Sequence, residues 1–254
     1  MLTFQTNIWE KDWRIILAQD YLEQIISRCK QEFKSKEIIV NNVKNRKLVE
    51  KHLDKKVNKG VIDKYYFVED YIDEVLDYFS LTKDSFQGAY YVSSSELVGI
   101  YLCQTDYLLY FKGDAHLYRN SSNWIKEGIK VLQERKDILV ANATWNGEYE
   151  HADYASFGEV DEFFIGYGFS DQCFLVRTKD LKQQIYNEMH SSSRIYPRGN
   201  PFEAMVNSYM RNHELKRITH KKDSFLHKNF NLFLILQKLS FVRNIYGQQR
   251  LKKH

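Results

Sequence analysis

The sequence predicts an α/β fold: a mainly parallel sheet flanked by helices, in a single domain. Three observations carry this. Strand-like and helix-like patterns alternate through residues 2–141. One apolar run, Tyr107-Leu108-Leu109-Tyr110-Phe111, shows no polar alternation, as suits a central strand buried on both faces. No stretch rich in Pro, Gly or Ser divides the 254 residues.

Taken in order, residues 2–6 read as a first strand. A helix starts near Asp12, with Ile15, Ala18, Leu22, Ile25, Ile26 and Cys29 on one stripe. Residues 37–40 form a second strand, stopped by the turn signal Asn41-Asn42. The lysine-rich stretch 44–59 reads as a solvated helix and loop. Residues 65–68 give a third strand, and Tyr71, Ile72, Val75, Leu76 and Phe79 the next helix. Ser93-Ser94-Ser95-Glu96 reads as the cap of a helix carrying Leu97, Ile100 and Tyr101. The central strand then ends in Lys112-Gly113-Asp114-Ala115-His116. A helix over 123–135 and a strand over 137–141 follow.

The second half is less regular. Residues 145–164 are polar, aromatic and acidic, and read as a long functional loop. Residues 166–171 make a turn before a strand over 172–176. Asn200 is placed to cap a helix with Pro201 at its first position and Phe202, Met205, Val206, Tyr209 and Met210 on its apolar stripe.

Composition excludes several classes. Charged residues are 28% and hydrophobic ones 43%, which is neither disordered nor collagen-like. No apolar run approaches the ~20 residues of a membrane span, and no signal peptide is expected from Met1–Gln5. Cys29, Cys103 and Cys173 lack metal-binding spacing and suggest a reducing, cytoplasmic setting. Net charge is +4, but Lys228, Lys238, Arg243, Arg250, Lys252 and Lys253 follow the last acid, Asp223, so the body is slightly acidic. A body of that sign has no nucleic-acid footprint. The tail is basic and apolar. Leu232, Ile235, Leu236, Leu239, Val242 and Tyr246 share one helical face, and Phe230, Phe233, Leu234, Phe241 and Ile245 fill much of the rest. Packing against the body is the first expectation for such a tail. Peripheral contact with the inner face of an anionic membrane is the second.

Ligands of open α/β sheets sit at the carboxyl ends of strands. The candidates are therefore residues 6–12, Asn41-Asn42 and 112–116. Asp114 follows a buried strand and can hold a hard divalent cation through oxygen, or merely cap the next turn.

Tyr107–Leu117, Y-L-L-Y-F-K-G-D-A-H-L, resembles the strand and Asp-x-Asp segment of nucleotide-sugar glycosyltransferases of the GT-A, Rossmann-like fold. G-F-S-D-Q-C-F-L-V (residues 168–176) is similar to their acceptor-side turn and strand. P-F-E-A-M-V (201–206) is similar to the helix carrying the catalytic acid of inverting, family 2-like members. T-N-I-W-E-K-D-W (6–13) and I-I-V-N-N-V (38–43) sit where those enzymes grip the nucleotide. The likeness spans residues 1–230, with 231–254 left as a basic, apolar helical extension.

The resemblance implies transfer of a sugar from a nucleotide-diphosphate donor to a hydroxyl of a glycan or glycolipid, with inversion, as in polysaccharide or lipopolysaccharide biosynthesis. It implies donor contacts at Thr6, Asn7, Glu10, Asn41, Asn42, Lys112 and Asp114. Acceptor contacts fall at Trp145, Phe169, Ser170 and Asp171. Manganese or magnesium would sit at Asp114, with His116 and His227 completing a mixed site and His220 competing with His227. The motif is incomplete: Lys112 stands where the first acid belongs, and can itself offset diphosphate charge. Glu203 becomes the general base, with Asp171 as runner-up. Asn200-x-x-Glu203 also has the spacing of a capping box, a purely structural alternative. The aromatic and acidic residues of 145–167 suit sugar faces and hydroxyls, or simply a tyrosine-rich loop. A nucleotidyltransferase would need a glycine-rich loop after the first strand, and residues 6–12 contain no glycine. A non-catalytic carbohydrate-binding or scaffold protein on the same fold is the other alternative.

Overall fold

The computed structural model describes residues 1–118, 123–195, 199–230, 232 and 234–252, the side chains of 195 and 234 excepted. Phe233 and Lys253, noted in the sequence, lie outside the described residues.

The strands are β1 Leu2–Ile8, β2 Ser35–Val40, β3 Lys64–Phe67, β4 Tyr107–Phe111, β5 Ala115–Leu117, β6 Ile138–Trp145, β7 Ser156–Val160, β8 Phe163–Gly166, β9 Cys173–Arg177 and β10 Lys216–His227. They form one sheet in the order β3-β2-β1-β4-β9-β6-β10-β8-β7, with β5 paired to β10. β1 runs parallel to β2 and β4, β2 to β3, and β6 to β10; β9 is antiparallel to both its neighbours. The α/β sheet expected from the sequence is thus present, but it is mixed rather than mainly parallel: the pairings are parallel from β3 to β4, while β8 and β5 lie antiparallel to β10 and β7 antiparallel to β8.

Alternation along β4 explains its unbroken apolar run. Leu109 and Phe111 enter one core with Phe4, Trp13 and Leu22, while Leu108 and Tyr110 enter the other with Phe86, Phe174 and Phe202. Cys29, Cys103 and Cys173 are all buried free thiols.

The topology creates the site. After β1 the chain moves outward through β2 and β3, then returns to lay β4 on the other side of β1. Such a reversal opens a crevice at the carboxyl ends of the strands. Register sets its floor. Ile8 lies opposite Val40 and Thr6 opposite Phe111, so Asn7, Asn41 and Lys112 emerge at one edge.

Five expectations are corrected. The helix read from Asp12 through Cys29 is two helices, Trp13–Ile16 and Tyr21–Arg28, with Gln19 at positive φ between them. Residues 145–164 are not a loop: β6 runs to Trp145, a helix spans Tyr149–Tyr154, and β7 and β8 form a hairpin. Ser93-Ser94-Ser95-Glu96 caps nothing; these four residues are buried in the middle of the helix Tyr90–Leu102. Asn200 is not an N-cap. The helix is Phe202–Asn212 with Pro201 before it, and the Phe202 N–H donates instead to Ser93 Oγ, 2.9 Å away. The tail is two helices, Leu234–Gln237 and Ser240–Lys252, rather than one.

Candidate active site

A cleft of about 480 Å³ lies over the carboxyl ends of β1, β2 and β4. Asn7, Asn41, Asn42, Lys112, Asp114, Asp171, Glu203 and His227 all line it, brought from six separate stretches of sequence.

Two backbone devices hold the Lys112–Asp114 turn. The Gly113 N–H donates to Asn7 Oδ1 at 2.8 Å. A side chain at Gly113 would meet the Asn7 carbonyl oxygen at 2.2 Å, so only glycine fits against β1. β5 then pairs with β10, setting Ala115 opposite His227. That register puts His227 Nε2 3.2 Å from Asp114 Oδ1. Burial pushes the Asp114 carboxyl up, but the His227 hydrogen bond and charge, with Arg250 and Lys112, outweigh it and hold the group below its ordinary value.

Lys112, on the same turn, is the centre of a carboxylate network. Its ammonium lies 3.1 Å from Oε1 of the fully buried Glu96 and also pairs with Asp171. Ser95 Oγ donates to Glu96 Oε2 at 2.9 Å and the Tyr110 hydroxyl to Oε1 at 3.2 Å. Burial would lower the lysine's pKa, but Asp171 and Glu96 reverse that and keep it charged. Glu203 stands beside this network. Desolvation, then the Asp171 charge, push its carboxyl up to about 8, against the pull of Lys112. Glu203 is therefore poised to exchange a proton near neutrality, as a general acid or base must. Its capping-box alternative fails, since the helix takes no side-chain cap.

Asn7 and Asn41 line the cleft with largely occupied carboxamides. Asn7 Nδ2 donates to Ser95 Oγ at 3.2 Å, and Asn41 Nδ2 to the Tyr91 carbonyl at 2.8 Å and Ser94 Oγ at 3.2 Å. The serine run thus ties the Tyr90–Leu102 helix to the strand ends.

Other expected site residues lie elsewhere. His116 is corrected outright: it is fully buried in β5 with Nδ1 2.9 Å from Arg28 Nη1, and it does not line the cleft. His220 is also buried, its Nδ1 accepting the Asp223 N–H at 2.8 Å and its Nε2 3.1 Å from Glu127, so of the two rivals His227 reaches the cleft. Thr6 is buried within β1. Glu10 pairs with Arg14 at 3.1 Å and accepts the Lys44 N–H at 2.9 Å. Phe169 is core, packed on Phe174 and Phe202. Ser170 accepts the Gln172 N–H, and Trp145 is exposed at the end of β6; neither lines the cleft.

The sequence reading did not single out Glu96, nor Asp12 within the candidate stretch 6–12. Asp12 is buried in the cleft wall, its Oδ1 accepting the Trp9 N–H at 2.8 Å. Burial pushes its carboxyl well above the ordinary range, and Asp114 adds to this. Trp9 and Tyr91, both well exposed, form part of the rim.

No protein-family model and no curated protein sequence matches the chain. Solved structures do. GalNAc-T7 with UDP, GalNAc and Mn2+ superposes with a TM-score of 0.54 at 8% identity, over 89% of this chain and 43% of its own. A UDP-glucose pyrophosphorylase complexed with UDP-glucose gives 0.50 at 8% identity, over 100% of both chains. Staphylococcus aureus TarS 1-349 with UDP-GlcNAc gives 0.48 at 10% identity, over 99% of this chain and 70% of its own. The chain thus spans less than half of the GalNAc-T7 structure, and what the two share is architecture: this is the GT-A fold.

Proposed function

We propose that the protein transfers a sugar from a nucleoside-diphosphate donor to a hydroxyl acceptor, with inversion at the anomeric carbon. The observation that carries this reading is the meeting of two chemistries in one cleft: Asp114 paired with His227, and Glu203 beside Asp171. In the reaction the acceptor oxygen bonds to the anomeric carbon, the bond to the diphosphate oxygen breaks, and the acceptor proton passes to Glu203. Asp171, held by Lys112, stands beside Glu203 and supports the orientation of the acceptor.

The donor set suits a divalent cation. A hard carboxylate oxygen and an imidazole nitrogen, 3.2 Å apart, are donor types that a divalent cation would accept. No group of three His, Cys, Asp or Glu side chains among the described residues is arranged to hold a metal. Asp114 and His227 would therefore bind it together with donor oxygens and water. Such a cation stabilises the departing diphosphate as a Lewis acid.

A thermal-shift panel of nucleotide sugars, with and without manganese, tests the reading. A donor that binds the native state raises Tm by mass action. Metal-dependent stabilisation and slow release of nucleoside diphosphate are expected; no response to any nucleotide sugar overturns the proposal. The pyrophosphorylase likeness favours a second reading, nucleotidyl transfer. Formation of nucleotide sugar from nucleoside triphosphate and sugar phosphate would select it.

A further inference from the structure

The C-terminal segment has two unlike sides. Its inner side is built into the body. Gly247 packs on Tyr21, where a Cβ would come within 3.3 Å of the ring. Leu251 is fully buried, Gln237 Nε2 donates to the Lys11 carbonyl at 2.8 Å, and Arg250 donates to the Asp114 carbonyl while lying 4.4 Å over the Phe230 ring. The segment is therefore fixed relative to the cleft, whose rim it leaves at Asn229.

Its outer side is apolar and uncovered. Ile235 is 73% exposed, Phe241 65%, Ile245 55% and Leu239 47%. On the Ser240–Lys252 helix, Phe241, Ile245, Gln249 and Lys252 fall on one stripe at i, i+4, i+8 and i+11, opposite Gly247, Arg250 and Leu251. Lys238 and Lys252 flank the apolar side chains and are exposed, and no acid follows Asp223 in sequence. Single exposed apolar residues need no explanation, but several contiguous large ones do.

We propose that this outer face docks on an anionic lipid surface, seating Phe241 and Ile245 at the headgroup boundary with Lys238 and Lys252 among the phosphates. The inference concerns the tail alone and stands whether or not the transfer reading holds. Charge decides the occupant. A second copy of the same face would bring lysines together with no acid within the segment to pair them, whereas acidic headgroups answer them. The combination of apolar and basic residues is what two-signal interfacial binding requires. No helix among the described residues is long and apolar enough to span a membrane, so the contact is peripheral.

Sedimentation with large unilamellar vesicles tests this. The full chain should partition onto phosphatidylglycerol–phosphatidylcholine vesicles at 0.1 M salt, at least about tenfold better than onto pure phosphatidylcholine, and release as salt approaches 1 M. The double variant Phe241→Ser/Ile245→Ser should lose about tenfold or more in partitioning. Its Tm should be unchanged, because both side chains face outward; Lys238→Glu/Lys252→Glu gives an independent charge readout. Absence of binding by the full chain to anionic vesicles, or wild-type binding by the folded double variants, overturns the proposal. So does a concentration-dependent dimer that Phe241→Ser/Ile245→Ser abolishes.

Discussion

The ammonium of Lys112 lies 3.1 Å from Oε1 of Glu96, a carboxylate with no exposure to solvent. Lys112 occupies the position where the resembled motif has an acid, and the sequence suggested it as a cation for the diphosphate. The structure engages it with Glu96 and Asp171 instead. Its effect is to keep a buried negative charge compensated and to hold Asp171 at the cleft wall. Both ends of such a pair depend on each other, because an uncompensated buried charge is costly.

Lys112→Met should therefore destabilise the fold by about 3–5 kcal/mol, the usual range for breaking a buried pair from one side. Adding Glu96→Gln should restore part of this, since the neutral amide no longer needs the ammonium. Urea denaturation of the two single variants and the double gives the coupling. Additive losses would show that the two groups do not act as a pair.

Metal and donor binding should depend together on Asp114 and His227. Asp114→Asn and His227→Gln should each remove most of the manganese-dependent Tm rise produced by a nucleoside diphosphate, while leaving Tm without ligand within a few degrees. The link also has a pH sign. Asp114 has a folded-state pKa below its unfolded one, so the stability it contributes is present above about pH 4 and is lost as pH falls through the folded value. His227→Gln should flatten the acid limb of the stability profile; an unchanged limb would dissociate the pair.

Much of the fold was legible because its strands and helices carry local signals. The apolar run of β4 states its burial directly, and Ile15, Leu22 and Ile25 are buried as their spacing implies, though on two helices, Trp13–Ile16 and Tyr21–Arg28, rather than the one expected. The tail and second half were less legible because their structure depends on distant partners. β10 bends past irregularities at Thr219–Ser224 to pair with both β6 and β5, which no local pattern encodes. Motif order pointed to Asp114, Asp171, Glu203 and His227, and their meeting in one cleft is a result of register. Glu96 was misread because serines before a glutamate look like a cap. Here each is buried and satisfied across the fold: Ser93 by Phe202, Ser94 by Asn41, Ser95 by Asn7. His116 was misread because spacing from Asp114 says nothing about which side of a three-residue strand faces the cleft.

Gly113 should tolerate no side chain. An added Cβ meets the Asn7 carbonyl oxygen at 2.2 Å, and that oxygen belongs to a buried strand that cannot yield cheaply. Gly113→Ala should cost about 1–3 kcal/mol, as overpacking does. It should also weaken donor-dependent stabilisation, because the turn carries Asp114. Normal Tm with normal donor response would mean that the turn can shift without consequence.

Glu203→Gln separates proton transfer from structure. The amide keeps the size of the side chain but cannot take a proton, so transfer should fall by about 10²-fold or more, with donor affinity little changed. In the wild type the carboxyl must ionise to act as a base, so the rate should rise with pH and level off above about 8. Stability should move the other way. The folded-state pKa lies above the unfolded one, so the folded protein binds more protons between about 4.5 and 8 and loses stability as pH rises through that window. Glu203→Gln should remove both dependences at once: a flat rate profile at a low level, and a stability curve that no longer declines over the same range. A variant that loses the stability slope but keeps near-normal transfer would show that Glu203 titrates without being the base, leaving Asp171 as the group to substitute next.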